Sequence, residues 1–276
     1  MSSHKPCRRL TPAIDSMFSP VWVFVFQFST HKVSRILPLR SRCRPALTAF
    51  VTIIISFGFA HARVAAANFL APDAIDLRAL LPAPPAADSP ATRAELDEVL
   101  ALQVARTPEQ AARCRQIEGE DIYLFGSEVL GPWFTAANLP KVAALFAQVR
   151  EDFIPLNRAA KAVWPRRRPP FVDARIIPCV EVTDSGAYPS GHGVQSSLWA
   201  ALLGELFPEH AAAFQQRAAE TRRYKLLSGV HYASDLEAGR HLGEAIARGM
   251  LQSPALVPAR AEARAEIAAA RRGKDN

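Results

Sequence analysis

The apolar residues in the middle of the chain follow a helical repeat, and this repeat most constrains what the chain can fold into. From Leu139 to Val149 they recur at intervals of three and four residues, which places them on one face of an amphipathic helix. The pattern predicts a helix that continues past a kink at Pro155 to Trp164. Alternating strand patterns are nearly absent and no internal repeat is visible, so the expected fold class is all-α.

Helix-start signals and further apolar periodicity extend this pattern on both sides. Ser89 and Thr107 are each a capping residue followed by a proline at the first helical position. Further helices are predicted at residues 191–207, 209–227 and 236–251, with an exposed, charged helix at 261–272. Residues 63–88, which precede the first cap, are rich in proline and alanine and are predicted to form an extended arm with no core of its own. Residues 89–276 are expected to form a single-domain helical bundle with a sizeable core.

The first 62 residues have the composition of a leader. The basic sequence RSRCRP, ending at Pro45, precedes an uncharged apolar run at residues 46–60, which small residues around His61 follow. This order is typical of a secretory signal peptide, and we expect cleavage after Ala62, with Ala67 as the second choice. The run is shorter than the roughly 20 residues of a membrane span, so cleavage is favoured over an uncleaved anchor. No membrane span is expected after cleavage.

The formal net charge of +7 is unevenly distributed along the chain. Residues 1–62 contain eight of the 33 Lys and Arg side chains but only one of the 26 Asp and Glu side chains. The remainder is therefore close to neutral. A general nucleic-acid-binding surface is not supported, and the few clustered cations need a local explanation.

Cysteine usage agrees with export but decides little. Cys7 and Cys43 fall in the leader, which leaves Cys114 and Cys179. In an oxidising compartment these two can form one disulfide across a long loop, and two buried free thiols are the alternative. The chain has no Cys-x-x-Cys spacing, so neither a zinc site nor redox chemistry is indicated, and no metal is expected.

The segment Tyr188-Pro189-Ser190-Gly191-His192 contains the strongest single indication of chemistry. Ser190 is a good cap for the helix that starts at Gly191. A helix start offers free backbone N–H groups and a partial positive charge, so it can hold a phosphate group. His192, in the first turn, is then placed to protonate a leaving oxygen. The alternative for this segment alone is a capped helix with an exposed histidine.

A second segment, Ser228-Gly229-Val230-His231, ends four residues before Asp235. At this spacing the Asp235 carboxylate reaches the His231 imidazole, fixes its tautomer and leaves the other ring nitrogen free to attack. The glycine allows the close approach that a substrate requires. A surface ion pair is the usual alternative at this spacing.

A short basic run precedes both segments. Lys161 supplies a point charge and Arg168 a two-pronged guanidinium, which together would neutralise the charge that grows on a phosphoryl group in its transition state. The neighbouring Arg166 and Arg167 are expected to lie on a solvated face.

These segments form a known signature, Lys-x6-Arg-Pro, then Pro-Ser-Gly-His, then a basic residue, five further residues and His-x3-Asp. The chain resembles the phosphatidic acid phosphatase type 2 and vanadium haloperoxidase superfamily, and more narrowly the bacterial class A non-specific acid phosphatases. The resemblance covers about residues 80–272. It implies a metal-independent acid phosphatase on an all-α helical bundle, periplasmic or secreted, that needs no cofactor and hydrolyses small phosphomonoesters.

The resemblance also implies a role for each matching residue. His231 attacks phosphorus and forms a phosphohistidine while Asp235 orients it, and His192 protonates the leaving alcohol and then activates water. An acidic optimum follows, because His192 must be protonated while His231 is neutral. The phosphoryl oxygens are held by Lys161, Arg168, Ser190, the Gly191 N–H and Lys225.

The chain departs from the family at the start of the third motif. Lys225 stands where the family has arginine, and lysine keeps the charge but loses the two-pronged grip. Arg222, one helical turn earlier, could substitute in part. The family also pairs a cysteine in the loop before Pro-Ser-Gly-His with one at the position of Ser228, so the resemblance implies that Cys179 pairs with Cys114 or stays free.

Two other functions fit the same motifs. A vanadium-dependent haloperoxidase would hold vanadate in the same anion site, but such chains are usually much longer. A non-catalytic phosphate- or phospholipid-binding protein is motivated by Lys225. The resemblance further suggests that the proline-rich arm packs on a second copy, which would make a homo-oligomer.

Overall fold

Local capping sets the helix boundaries of this chain. The computed structural model describes residues 68–272, which contain nine α-helices, two short 3₁₀ turns at Pro169–Phe171 and Pro208–His210, and no strand. The all-α fold class is confirmed. The helices are α1 (Leu77–Leu80), α2 (Pro90–Ala105), α3 (Pro108–Glu118), α4 (Ile122–Leu130), α5 (Pro140–Val163), α6 (Gly191–Leu206), α7 (Ala211–Leu227), α8 (Ala233–Gln252) and α9 (Leu256–Arg272).

The predicted helix starts are present, and two further helices, α1 and α4, were not predicted. The Ser89 side chain accepts the Thr92 N–H at 3.2 Å and begins α2, and a reciprocal capping box at Thr107 begins α3. Helix α4 begins in the same way, because the Asp121 side chain accepts two N–H groups of its first turn. It ends at Gly131, whose φ of 88° favours glycine. The Asp121 cap and the Gly131 stop are both visible in the sequence, but the helix between them has only nine residues.

Helix α5 extends through Pro155 to Val163, which confirms the predicted continuation. Its apolar face is buried, and α9 packs against it. The tail predicted to be exposed, residues 261–272, therefore buries one face through Ala263 and Ile267, and α9 begins earlier, at the buried Leu256. None of the helices in residues 68–272 combines the length and the apolar character needed to cross a bilayer.

The described part of the predicted arm, residues 68–88, is not independent of the core. Phe69 and Leu81 are buried in the core, and the Phe69 N–H donates to the buried carboxylate of Asp152 at 2.6 Å. The arm also contains α1, so regular structure begins earlier than Ser89, where it was expected. The described residues belong to one compact unit, 61–276. The predicted signal peptide at residues 1–62 lies outside the described residues.

Helix α6 lies between α7 and α8, and it approaches α8 at backbone contact. A Cβ atom added at Gly243 would lie 2.3 Å from the carbonyl oxygen of Val194, and one added at Gly239 would lie 2.7 Å from that of Ser190. Both glycines are on α8 and both oxygens are on or next to α6. The close packing brings together the starts of the two helices that follow the histidine-containing segments.

We expect Gly243→Ala to destabilise the protein by about 1–3 kcal/mol. The new methyl group would overlap main-chain atoms, which cannot avoid it by a change of rotamer. Urea unfolding followed by circular dichroism would measure the change. Gly119→Ala is the matched control, since nothing lies within 4 Å of its added Cβ. Equal unfolding midpoints for the two variants would contradict a backbone contact between α6 and α8.

Candidate active site

A polar pocket of about 200 Å³ lies at the N-terminal end of α6. The structure brings six of the predicted site residues together in its lining: Lys161, Arg168, Gly191, His192, Lys225 and His231. Other polar side chains complete the lining, namely Glu118, Asn157, Glu181, Thr183 and Ser185, together with the apolar Val230. A larger groove of about 490 Å³ lies between the arm and the basic run, but its lining is mainly apolar and contains neither histidine.

Ser190 occupies the start of α6 in the predicted capping role. Its hydroxyl accepts the Gly193 N–H at 3.4 Å, and its own N–H donates to the backbone carbonyl of Asp235 at 2.9 Å. The Ser190 side chain is fully buried and lies outside the pocket lining, so its hydroxyl serves the helix start, while its backbone N–H makes the contact with α8. Gly191 forms the pocket wall at this point, where its backbone N–H is available to an anion.

The contacts of His231 define its tautomer. Its Nδ1 lies 3.2 Å from Oδ2 of Asp235, and its Nε2 lies 3.1 Å from Nη1 of Arg168. A guanidinium can only donate, so Nε2 must accept and Nδ1 must carry the proton that is donated to the carboxylate. The lone pair of Nε2 therefore points to the group that would hold a phosphoryl oxygen. Both His231 and Asp235 are buried, which rules out a surface ion pair.

Arg168 also holds the loop that contributes Thr183 and Ser185 to the pocket lining. Its Nε donates to the Ser185 carbonyl at 2.9 Å, and its Nη2 donates to the hydroxyls of Thr183 and Ser185 at 3.1 Å each. Its Nη1 donates to the Val230 carbonyl at 3.1 Å, beside His231. The guanidinium thus faces His231 in a fixed orientation, and burial lowers the pKa of Arg168.

Lys161 links the two ends of the segment before α6. Its Nζ donates to the carbonyl oxygens of Gly186 at 2.5 Å and Pro189 at 2.8 Å. Burial lowers the pKa of Lys161 to about 8, and the charge of Arg168 adds to this effect. The ammonium group is therefore charged throughout the acidic range.

Lys225 is 2% exposed and forms an ion pair with Glu118, the last residue of α3. The carbonyl oxygen of Glu118 accepts from Nε2 of His192 at 3.3 Å. Glu118 therefore contacts both the cation at the family's arginine position and the histidine expected to act as the acid. Sequence reasoning missed Glu118, because no spacing relates it to residues more than 70 positions away.

The histidines are less basic than usual. The pKa of His192 is lowered to about 4, mainly by burial and also by the charge of Lys225, while Glu118 opposes this shift. The pKa of His231 lies well below its ordinary value because the ring is buried beside Arg168. Burial therefore favours the neutral form of both imidazole rings.

Two expectations about arginines outside the pocket lining were wrong. Arg166, expected on a solvated face, is buried and forms ion pairs with Glu95 and Asp235. Arg222, suggested as a partial substitute for the family's arginine, donates instead to the Ser197 hydroxyl at 2.9 Å and lies outside the pocket lining. The position of Arg222 on α7 directs its side chain toward α6, where Ser197 lies. Arg167 is exposed, as predicted.

Cys114 and Cys179 are free thiols that lie side by side. The Cys114 thiol donates to the Tyr224 carbonyl at 3.3 Å. Burial raises the pKa of Cys114 to about 12. A disulfide between them remains a prediction. Within residues 68–272, no cluster of three or more His, Cys, Asp or Glu side chains is arranged to hold a metal ion.

Comparison with known proteins relates this site to one group of enzymes. A non-specific acid phosphatase of Salmonella typhi is 29% identical over 214 residues, which is 71% of this chain and 81% of that protein. One from Providencia stuartii is 30% identical over 176 residues, or 60% of this chain and 71% of that protein. No protein-family model matches the chain. The match to a transmembrane PAP2-type phosphatidylglycerolphosphate phosphatase from Bacillus subtilis covers 60% of this chain and 87% of that chain at 20% identity, with a TM-score of 0.40.

The pocket of this all-α domain is lined by the buried His231, the partly buried His192 and three cationic side chains, a set that could hold a phosphate group. The chain belongs to the bacterial non-specific acid phosphatases, as its motifs predict, and it is a phosphatase enzyme. The relatives favour this class over a haloperoxidase or a non-catalytic binding protein.

Proposed function

We propose that the protein hydrolyses phosphomonoesters without a metal ion, through a phosphohistidine on His231, and that it does so after export to the periplasm or the medium. The tautomer of His231 carries this proposal. With the Nδ1 proton donated to Asp235, the Nε2 lone pair faces the pocket beside Arg168, which is what a nitrogen nucleophile requires.

In the first step, the Nε2 lone pair of His231 forms a bond to phosphorus as the bond from phosphorus to the ester oxygen breaks. His192 gives a proton to that oxygen, and the alcohol leaves. Arg168, Lys161 and the Gly191 N–H bind the remaining phosphoryl oxygens, so their charges face the place where negative charge develops. The contact of Arg168 with Nε2 is replaced by contacts to the phosphoryl group.

In the second step, water attacks the phosphohistidine. His192, now neutral, accepts a proton from the water as the new bond to phosphorus forms, and the bond to Nε2 breaks. Inorganic phosphate leaves and both histidines return to their starting states. The carbonyl of Glu118 holds the His192 ring in both steps, because the Nε2–H donated to that carbonyl leaves Nδ1 as the nitrogen that titrates.

One experiment tests export and activity together. The full chain is expressed in a bacterial host, the periplasmic fraction is collected, and hydrolysis of para-nitrophenyl phosphate is measured at acidic pH with EDTA present. We expect turnover that EDTA leaves unchanged and vanadate inhibits. N-terminal sequencing of the purified protein should begin at Arg63.

The same assay on the cytoplasmic and membrane fractions is the control for location. Activity confined to the membrane fraction would contradict cleavage of the leader. Activity that EDTA abolishes and a divalent cation restores would contradict the metal-independent mechanism, whereas tight phosphate binding without turnover would contradict hydrolysis altogether.

A further inference from the structure

Arg166 is buried at the back of the active site, with its side chain 8% exposed. Its Nη1 donates to Oδ1 of Asp235 at 2.7 Å and to the Ser234 hydroxyl at 2.8 Å, while its Nη2 donates to Oε2 of Glu95 at 2.7 Å. The guanidinium carbon also lies 3.7 Å from the centroid of the Tyr232 ring. These contacts fix both the position and the plane of the guanidinium.

Glu95 connects this arrangement to a second helix. It belongs to α2, and its Oε1 accepts the Ser234 N–H at 2.7 Å while its Oε2 accepts from Arg166. Ser234 lies in the first turn of α8, where N–H groups have no partner within the helix. Glu95 therefore holds the start of α8 and Arg166 at the same time.

The two carboxylate oxygens of Asp235 have separate partners. Oδ1 accepts from Arg166, whereas Oδ2 accepts from Nδ1 of His231 and from the Tyr232 N–H at 2.9 Å. A carboxylate with one partner could turn about its own bond. Since both oxygens of Asp235 are bound, the one that faces His231 cannot rotate away.

We propose that Arg166, held in place by Glu95, is a positioning residue for catalysis, because it fixes and keeps ionised the Asp235 carboxylate that orients His231. This inference rests on the phosphohistidine mechanism proposed above. Arg166 lies outside the pocket lining, so it acts through Asp235 rather than on the substrate.

The electrostatic part of this role follows from burial. Asp235 is fully buried, and burial raises its pKa, while the charges of Arg166 and Lys161 and the Tyr232 N–H oppose the rise. Without Arg166, Asp235 would become protonated at a higher pH. A neutral Asp235 no longer serves as the ionised acceptor that favours the proton on Nδ1 of His231.

The test compares Arg166→Met and Arg166→Lys with the wild type in the hydrolysis of para-nitrophenyl phosphate. For Arg166→Met we expect kcat to fall by about 10- to 100-fold, by analogy with the loss of an outer partner of a metal ligand, with KM little changed. Arg166→Lys should recover part of kcat. On the acidic side, the activity of Arg166→Met should be lost at a higher pH than that of the wild type, because Asp235 gains its proton earlier.

Arg167→Met is the matched control, since it removes the exposed neighbouring charge of the same run and should leave kcat and the pH profile unchanged. If Arg166→Met fails to fold, Glu95→Gln and Arg166→Lys serve instead, and each should show a smaller loss of kcat with a shift in the same direction. A kcat within twofold of the wild type would overturn the inference. A loss of kcat that is equal at every pH and proportional to the fraction of folded protein would also overturn it.

Failure of this inference can be told apart from failure of the mechanism. A wild type that depends on His231 while Arg166→Met matches it would overturn the positioning role alone. A wild type with no phosphatase activity, or one whose activity survives the loss of His231, would overturn the phosphohistidine mechanism and this inference with it.

Discussion

His231→Ala should reduce kcat for para-nitrophenyl phosphate by on the order of 10⁴-fold or more, because removal of a nucleophile eliminates the covalent route. His231 is buried between Asp235 and Arg168, and its Nε2 faces the pocket. Substrate binding should survive, since Lys161 and the Gly191 N–H remain. A rapid-mixing experiment quenched in alkaline denaturant, in which phosphohistidine persists, would detect the intermediate in the wild type and not in the variant.

Another histidine, His241 on α8, supplies the matched control. His241 pairs with Glu237, four residues away, but it is exposed. The pair thus has the spacing of the catalytic pair without its burial, and His241→Ala should leave kcat unchanged. Turnover by His231→Ala above about 1% of the wild-type rate would contradict the assignment of His231 as nucleophile.

His192→Ala should lower kcat by about 10²- to 10⁴-fold, the usual contribution of a general acid–base residue. It should also remove a feature of the pH profile. The pKa of His192 in the free enzyme is about 4, so wild-type kcat/KM should fall as the pH rises through this value and His192 loses its proton. The negative charge of a bound phosphoester favours protonated His192, so kcat should decline at a higher pH.

Substrates with different leaving groups separate the two steps of His192→Ala. Para-nitrophenolate leaves without a proton, so its first step should continue and the phosphohistidine should accumulate when the water-activating base is missing. Glycerol phosphate needs the acid and should lose more rate in its first step. An unchanged pH profile for His192→Ala would contradict the dual role of His192. So would an equal loss of rate for the two substrates without accumulation of the phosphohistidine.

Local signals made part of the site predictable from the sequence. Ser190 caps the helix at the expected residue, and the four-residue spacing of His231 and Asp235 produces the predicted contact. Each of these depends on residues within one helical turn. The basic residues Lys161 and Arg168 could be assigned because a motif, rather than a periodicity, identified them.

The rest of the site depends on contacts between distant parts of the chain. Arg166 meets Glu95 across 71 positions, and Lys225 meets Glu118 across 107 positions. No local pattern distinguishes a buried arginine with such partners from a solvated one, since burial is set by the packing of α2 and α8 around it. Helix α4 is different, because its start and stop residues are visible in the sequence and only its short length concealed it.

The backbone contact between α6 and α8 has a consequence for how this protein can vary. The distance between the two histidine-containing segments is set by main-chain atoms at Gly239 and Gly243, rather than by the shapes of side chains between the helices. Surrounding core residues can then be exchanged over generations without moving the histidines apart. A pocket whose geometry depends on backbone contacts is consistent with relatives that share fewer than a third of their aligned residues with this chain. A larger residue at either glycine would push the two helices, and the histidines with them, apart.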